Sequence, residues 1–130
     1  MKLYALRLKP QQELRKELEQ FTRSKKIRAG FILTAVGSLD RATIRFAGAK
    51  TIKDLSGPFE IVSLVGTLSP DGPHLHIALG DRNGKTISGH LRAGVVRTTC
   101  ELVIGESESH AFHRARDPKT GYDELVIKNK

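Results

Sequence analysis

Apolar and polar side chains alternate at the start of the chain. Tyr4, Leu6 and Leu8 share one face of the segment Lys2–Lys9. A period of two residues is typical of a half-buried strand, because successive side chains of a strand point to opposite faces. The pattern therefore predicts that the fold begins with a β-strand.

The period changes after Pro10. Leu14, Leu18 and Phe21 follow i, i+4, i+7 spacing among charged and amide side chains, which places them on one face of a helix. Proline suits the first turn of a helix, where its missing N–H is not needed. The sequence predicts an amphipathic helix from residue 11 to about residue 24.

From Gly30 onward, short apolar segments alternate with turn residues. The predicted strands are Phe31–Leu39, Ala42–Lys50, Phe59–Ser69, His74–Gly80, Thr86–Leu91, Val95–Gly105, His110–Arg116 and Asp123–Lys128. Turns are predicted at residues 38–41, 55–58, 69–73, 82–84 and 117–121. Short connections favour antiparallel neighbours. The predicted fold class is α+β, with a mainly antiparallel central sheet and one packed helix.

Two predicted strand segments are apolar on both faces, namely Ile61–Leu68 and Cys100–Ile104. A sheet with two apolar faces has to be covered on both sides. One helix covers only one of them, so the second cover is expected from another subunit. The pattern therefore predicts a homo-oligomer.

The composition is that of one folded domain without a disulfide framework. The chain has 130 residues, 38% of them apolar, and a single cysteine, Cys100, which lies in an apolar strand and is expected to be an inert, buried thiol. No apolar run approaches the roughly 18 residues of a membrane span, and no secretory leader is recognisable. We expect one domain over residues 1–130, in the cytoplasm and not in a membrane.

The net charge of +8 is concentrated in one part of the chain. Residues 1–50 hold 12 basic and 4 acidic side chains, whereas residues 51–130 hold 10 of each. Four of these cations, Arg23, Lys25, Lys26 and Arg28, lie at the C-terminal end of the predicted helix. Two interpretations stay open: the cations stabilise the helix C-terminus, or they contact the phosphates of a nucleic acid.

Three histidines carry the most specific chemistry. His74 and His76 share one face of a predicted strand, while the side of His90 depends on the hairpin register. A two-residue turn at 83–84 would place His90 opposite an apolar position. A three-residue loop over 82–84, with a left-handed final glycine, pairs His76 with His90. Only this second register aligns the apolar side chains of both strands, and it brings the three imidazoles together.

Three convergent neutral imidazoles are the ligand set of an open zinc site. The alternative is a polar pocket in which the rings bond to backbone or carboxylate groups. If the site hydrolyses a substrate, Glu60 and Glu101 are the carboxylates in strands that could act as general base; otherwise they are surface residues. His110 and His113 are expected to be exposed and without a metal.

Several motifs together resemble the plants and prokaryotes conserved (PPC) domain, in the form of a single-domain prokaryotic member. They are Arg28–Ser38, Gly57–Leu64, Gly66–Leu68, His74–His76 and Gly89–Leu91. The resemblance covers nearly the whole chain and implies a central antiparallel sheet, a homotrimer and a DNA-binding label. It also implies that the paired histidines are a metal-binding feature.

The resemblance implies a partner-binding segment as well. Gly57, Phe59, Glu60 and Ile61 belong to a stretch that resembles the one linked to recruitment of transcription factors in plant members. The chain has no Arg-Gly-Arg-Pro core and hence no AT-hook, the minor-groove reading device of the plant proteins. DNA binding would therefore depend on the basic first 50 residues, which include this cluster of four cations, and would be salt-sensitive and largely independent of sequence.

Together these features predict a non-enzymatic, homotrimeric PPC-domain binding or regulatory protein. It would associate with DNA through a basic surface, or with a transcriptional partner. The alternative function is a zinc-binding small-molecule sensor or a metal-dependent hydrolase centred on the three histidines.

Overall fold

The computed structural model describes residues 1–48 and 50–130. These residues form β1 (Lys2–Leu8), α1 (Leu14–Ser24), β2 (Gly30–Arg45), β3 (Ile52–Leu68), β4 (His74–Gly80), β5 (Thr86–Glu106), β6 (His110–Arg116) and β7 (Asp123–Asn129). The predicted fold class, an antiparallel sheet with one packed helix, is confirmed. Within the described ranges, no helix is both long and apolar enough to cross a membrane.

Five strands form one antiparallel sheet in the order β1-β5-β2-β3-β4, and β4 also pairs with β5. Strands β2, β3, β4 and β5 are thus joined in a closed circuit. The long strand β5 makes this closure, because its first part pairs with β4 and its last part with β1. Strands β6 and β7 form a separate antiparallel pair.

The predicted turns at residues 38–41 and 55–58 are wrong, because single strands run through both. β2 continues through residues 38–41 with a register shift between Leu39 and Arg41, and Arg41 pairs with Ser56 of β3. Such a bulge absorbs an extra residue and bends the strand without ending it. Turn-forming residues inside a long strand therefore mark bends rather than connections.

Bulged strands also explain the other differences from the predicted boundaries. The two segments predicted as Thr86–Leu91 and Val95–Gly105 are both part of β5, whose register with β2 shifts at several points. The strand predicted as Ala42–Lys50 belongs to β2, which ends at Arg45. That prediction also included Ala49, which lies outside the described residues.

The helix begins three residues later than predicted, at Leu14 rather than residue 11. Residues 11 and 12 exchange backbone hydrogen bonds of 2.9 Å with Val96 of β5, so they cannot enter the helix. Glu13 is the N-cap: its carboxylate accepts hydrogen bonds from first-turn N–H groups and, at 2.9 Å, from the N–H of Gly94. The cap therefore fixes both the start of α1 and its attachment to β5.

The core lies between α1 and the closed part of the sheet. Leu14 and Leu18 are fully buried on the inner face of the helix, as the apolar spacing predicted. Their partners in the core are Leu8, Leu39, Ile44, Leu68, Leu75, Leu79, Leu91, Leu102 and Ile104. Burial of this apolar area supplies the main driving force for the fold.

Five large apolar side chains of the same sheet are more than half exposed within one chain. Their exposed fractions are 59% for Leu3, 52% for Leu33, 59% for Val36, 61% for Val62 and 56% for Val65. They lie on β1, β2 and β3. Large apolar side chains exposed on neighbouring strands are candidates for an interaction site.

Candidate metal centre

The hairpin between β4 and β5 has the predicted three-residue loop. His76 pairs with His90 and Gly80 with Thr86. Gly84 adopts a left-handed conformation with φ of 78°, which glycine reaches without strain. The carboxylate of Asp81 accepts two backbone hydrogen bonds within the loop, at 2.8 and 2.9 Å. The predicted register is therefore confirmed.

This register gathers the three predicted histidines into one cluster. The ring centroids of His74 and His76 are 5.0 Å apart. The ring centroid of His90 lies 5.4 Å from that of His74 and 5.8 Å from that of His76. One ring nitrogen from each of them lies within 4.8 Å of the other two. Three imidazoles from two paired strands thus point at a common position.

Two glycines let the strands around this cluster approach one another. A Cβ at Gly66 would collide with the backbone carbonyl oxygen of His74. A Cβ at Gly89 would come within 2.6 Å of the backbone oxygen of Arg45 on β2. Glycine at such points permits close backbone contact. A larger residue at either position would push the histidine-bearing strand away from its neighbour.

The environment keeps two of the imidazoles neutral. Burial lowers the pKa of His90 to about 4, and the neighbouring charge of Arg45 adds to the effect. Burial is also the first cause of the lowered pKa of His74, followed by the charge of Arg114. Neutral imidazole is the form that ligates metals, so these rings are ready to bind one at pH 7.

The donor set fits a zinc ion. His90 Nδ1 is buried and has no hydrogen-bond partner among the described residues. Leaving such a polar atom unpaired costs about 1–3 kcal/mol, a cost that a metal bound at this atom would remove. One ring nitrogen from each histidine lies within 4.8 Å of the other two, and three neutral imidazole nitrogens are a ligand set that zinc accepts.

Charged and aromatic side chains surround the cluster, and sequence reasoning missed them. A cavity of about 330 Å³ beside His74 and His90 is lined by residues that include Arg15, Arg45, Arg114, Tyr122 and Glu124. The Arg45 guanidinium lies 5.6 Å from the centroid of the Tyr122 ring. These residues come from α1, β2, β6, β7 and a turn, so no local motif announces them.

The two carboxylates considered as a general base do not lie at the cluster. Glu60 pairs with Gly80, at the opposite end of β4 from His74. Glu101 pairs with Arg7 of β1, at the far end of β5. Both side chains are exposed. Within one chain, neither carboxylate lies beside a ligand held by the histidines.

The basic cluster at the C-terminal end of α1 is exposed. Arg23, Lys25, Lys26 and Arg28 are all exposed. Arg23 stands in the last turn of α1 and Lys25 is its C-cap, which suits the helix-end interpretation. Exposure suits the phosphate-contact interpretation equally, so both remain predictions.

The segment predicted to bind a protein partner is only partly accessible. Phe59 and Ile61 are buried in the core, with 6% and 7% of their surface exposed. Gly57 is half-buried and Glu60 is exposed. A transcriptional partner remains a prediction, and Glu60 is the charged group that such a partner would reach.

The other two histidines, His110 and His113, and the single cysteine do not belong to the cluster. His110 Nδ1 lies 2.7 Å from Ser107 Oγ, and His113 Nδ1 is 3.9 Å from a carboxylate oxygen of Asp71. Burial raises the pKa of the Cys100 thiol to about 11, so it stays protonated at neutral pH. Cys100 is therefore the unreactive thiol that its apolar strand predicted.

The sequence model of the plants and prokaryotes conserved domain family matches residues 1–108 of this chain. The chain is also 48% identical over 128 residues to the bifunctional protein GlmU of two Synechococcus strains. That alignment covers 98% of this chain but only 21% and 20% of the relatives, so the chain spans about a fifth of their length.

Three solved structures are similar over nearly their whole length. A hypothetical protein from Salmonella enterica is 42% identical, with a TM-score of 0.95, and the match covers 99% of this chain and 94% of that one. A metal-containing protein from Archaeoglobus fulgidus is 30% identical, with a TM-score of 0.86 and coverage of 97% and 94%. A proposed DNA-binding protein from Bacteroides thetaiotaomicron is 27% identical, with a TM-score of 0.85 and coverage of 95% and 91%.

Proposed function

Because the chain belongs to the plants and prokaryotes conserved domain family, we propose that it is a homotrimeric, non-enzymatic regulatory module that binds zinc. The observation that carries this proposal is the convergence of His74, His76 and His90. The similarity to a metal-containing archaeal protein supports it. Zinc held by three histidines keeps a coordination position open for a ligand, which suits a protein that responds to a small molecule.

The chain's own residues prepare this centre. The pairing of His76 with His90 sets two of the rings side by side, and His74 reaches the same position from the start of β4. Burial around His90 excludes a competing proton. Its buried, unpaired Nδ1 is available as a ligand without first losing a hydrogen bond within the chain.

A zinc titration tests the proposal. Protein purified without a histidine tag and stripped by a chelator is expected to take up one zinc per chain. Equilibrium dialysis followed by metal analysis measures that stoichiometry. Uptake of clearly less than one equivalent, at zinc concentrations that saturate ordinary three-histidine sites, would contradict the proposed centre.

The trimeric part of the proposal is supported by the uncovered apolar side chains on β1, β2 and β3. Val36 and Val62 are each about three-fifths exposed in one chain. A second copy of the chain would bury them and provide the second cover that the sheet lacks. The family resemblance supplies the number three.

A second candidate function is association with DNA, favoured by the exposed cations at the end of α1. Ion pairs among the described residues do not involve Arg23, Lys25, Lys26 or Arg28, so their charges are available to phosphates. The relative from Bacteroides thetaiotaomicron also bears a DNA-binding description. Such contacts would be made to the backbone and would not read sequence.

Charge reversal at this cluster is expected to weaken DNA binding. The double substitution Lys25→Glu and Lys26→Glu should lower the affinity for a short duplex at least about ten-fold at low salt. It should also reduce the slope of log affinity against log salt by about 2, because each lost phosphate contact removes about 0.9. Fluorescence anisotropy across a salt series measures both quantities.

The matched control reverses two exposed lysines elsewhere, Lys119→Glu and Lys128→Glu. This control has the same net charge as the Lys25→Glu, Lys26→Glu variant, and it should bind DNA more tightly than that variant. Equal losses in the two variants would show that only total charge matters. A salt slope near zero for the wild-type protein would remove the DNA function.

A further inference from the structure

A second cavity beside the metal centre is lined by positive side chains. It has a volume of about 420 Å³ and is bounded by Arg15, Arg45, Arg92 and His90. Arg15 belongs to the first turn of α1, Arg45 ends β2, and Arg92 follows His90 by two residues on β5. None of the described carboxylates lines this space, which we name the arginine pocket.

The fold brings these cations together with little internal neutralisation. Arg45 is the backbone pairing partner of His90, and its guanidinium is held over the Tyr122 ring. The guanidinium of Arg15 forms an ion pair with the carboxylate of Glu19, at 3.4 Å. Among the described residues, Arg45 and Arg92 take part in no ion pair. Like charges gathered in one cavity create a positive potential that attracts anions.

The cavity of about 330 Å³ beside His74 and His90 also has negatively charged side chains in its lining. Besides arginines, it is lined by Asp71, Asp123 and Glu124. The carboxylate of Asp71 also accepts the backbone N–H of Arg114, at 2.8 Å, which fixes its position. Carboxylates there repel an anion, so a negatively charged ligand is directed to the arginine pocket.

We infer that the arginine pocket binds a small organic oxyanion, through a carboxylate or phosphate group, next to the metal position; this inference rests on the proposed zinc centre. The planar guanidinium fork matches two oxygens of such a group. His90 borders both the pocket and the metal position. The volume is near the lower end of the range of about 300–1,000 Å³ for small-molecule sites, which favours a metabolite over a polymer.

Calorimetric titration of zinc-loaded protein with malonate and with inorganic phosphate tests the inference. We expect at least one of them to bind, and the better one identifies the oxyanion group. Arg45→Gln should lower that affinity about ten- to hundred-fold, because a charged hydrogen-bond donor is lost. Arg92→Gln should lower it as well, and Arg92 is exposed, so its removal costs no core packing.

The control is Arg97→Gln. Arg97 is an exposed arginine of β5, the strand that also carries Arg92; it forms an ion pair with Asp40 and lies outside the arginine pocket. This variant should bind the anion like the wild-type protein. Zinc content, measured for every variant, should be unchanged. Normal zinc uptake without anion binding, or anion binding insensitive to both pocket variants, would overturn this inference alone. Failure to take up zinc would overturn the proposed function and this inference with it.

A competition experiment addresses the macromolecular alternative. Malonate or phosphate bound in the pocket should not be displaced by a short DNA duplex at concentrations that occupy the basic cluster at the C-terminal end of α1. Displacement that depends on Arg45 would assign the pocket to a nucleic-acid backbone and would overturn the small-anion inference.

Discussion

Replacing His76 by alanine is expected to lower zinc affinity by more than about 100-fold while leaving the fold intact. Mutation of a residue that only hydrogen-bonds to a metal ligand already lowers metal affinity about 10- to 100-fold. Loss of one of three direct ligands should therefore lower the affinity further. His76 is exposed and contributes nothing to the buried core. Competition with a chromophoric chelator measures the affinity, and a thermal melt of the metal-free protein checks the fold.

His113→Ala is the matched control, because it removes an imidazole from β6 that does not belong to the cluster. Zinc affinity should be unchanged in this variant. An affinity of His76→Ala within a few-fold of the wild-type value, with an intact melt, would show that zinc is bound elsewhere.

Introducing a charge at Val62 is expected to convert the proposed trimer into monomers. The side chain is 61% exposed in one chain, so aspartate is tolerated by the isolated subunit. Between subunits, the same aspartate would be buried without a partner, a change that costs several kcal/mol at each interface. Sedimentation velocity should show wild-type particles of three times the chain mass of 14.4 kDa and Val62→Asp particles of one chain mass.

Ile127→Asp controls for the effect of an added charge on solubility and shape. Ile127 is 59% exposed, almost as much as Val62, but lies on β7 and outside the five-stranded sheet. This variant should remain trimeric. A wild-type protein that sediments as one chain at all concentrations, or a Val62→Asp trimer, would refute the proposed interface.

The histidine cluster could be predicted from the sequence because one physical constraint determined it. A strand has a strict period of two, so a shift of one residue would have moved the apolar side chains of β4 to the wrong face. Only the three-residue loop ending at Gly84 avoids that outcome. The pairing of His76 with His90 follows from the apolar pattern and needs no knowledge of the tertiary fold.

The long, bent strands could not be predicted in the same way. Residues 38–41 and 55–58 contain the residue types that make turns, and local sequence does not distinguish a turn from a bulge. The difference is made by the paired strands on each side, which continue the hydrogen-bond ladder past the irregularity. Similarly, Pro10 suggested a helix start, but pairing of residues 11 and 12 with Val96 delayed it.

The arginine pocket shows the same limit for function. Arg15, Arg45 and Arg92 lie far apart in the sequence and belong to a helix and two strands. Each is unremarkable alone in a chain with 22 basic side chains. Only the closed circuit of strands and the docking of α1 bring them to His90. Charge asymmetry along the sequence pointed instead to the helix end.

The proposed three-histidine zinc centre is tested most directly by a crystal structure of the zinc-loaded protein, with data collected at the zinc absorption edge. We predict one strong anomalous peak per chain, bonded to His74, His76 and His90 at about 2.0–2.1 Å. A peak at any other residues, or no peak between these three rings in protein that contains zinc, would show that the proposed centre is wrong.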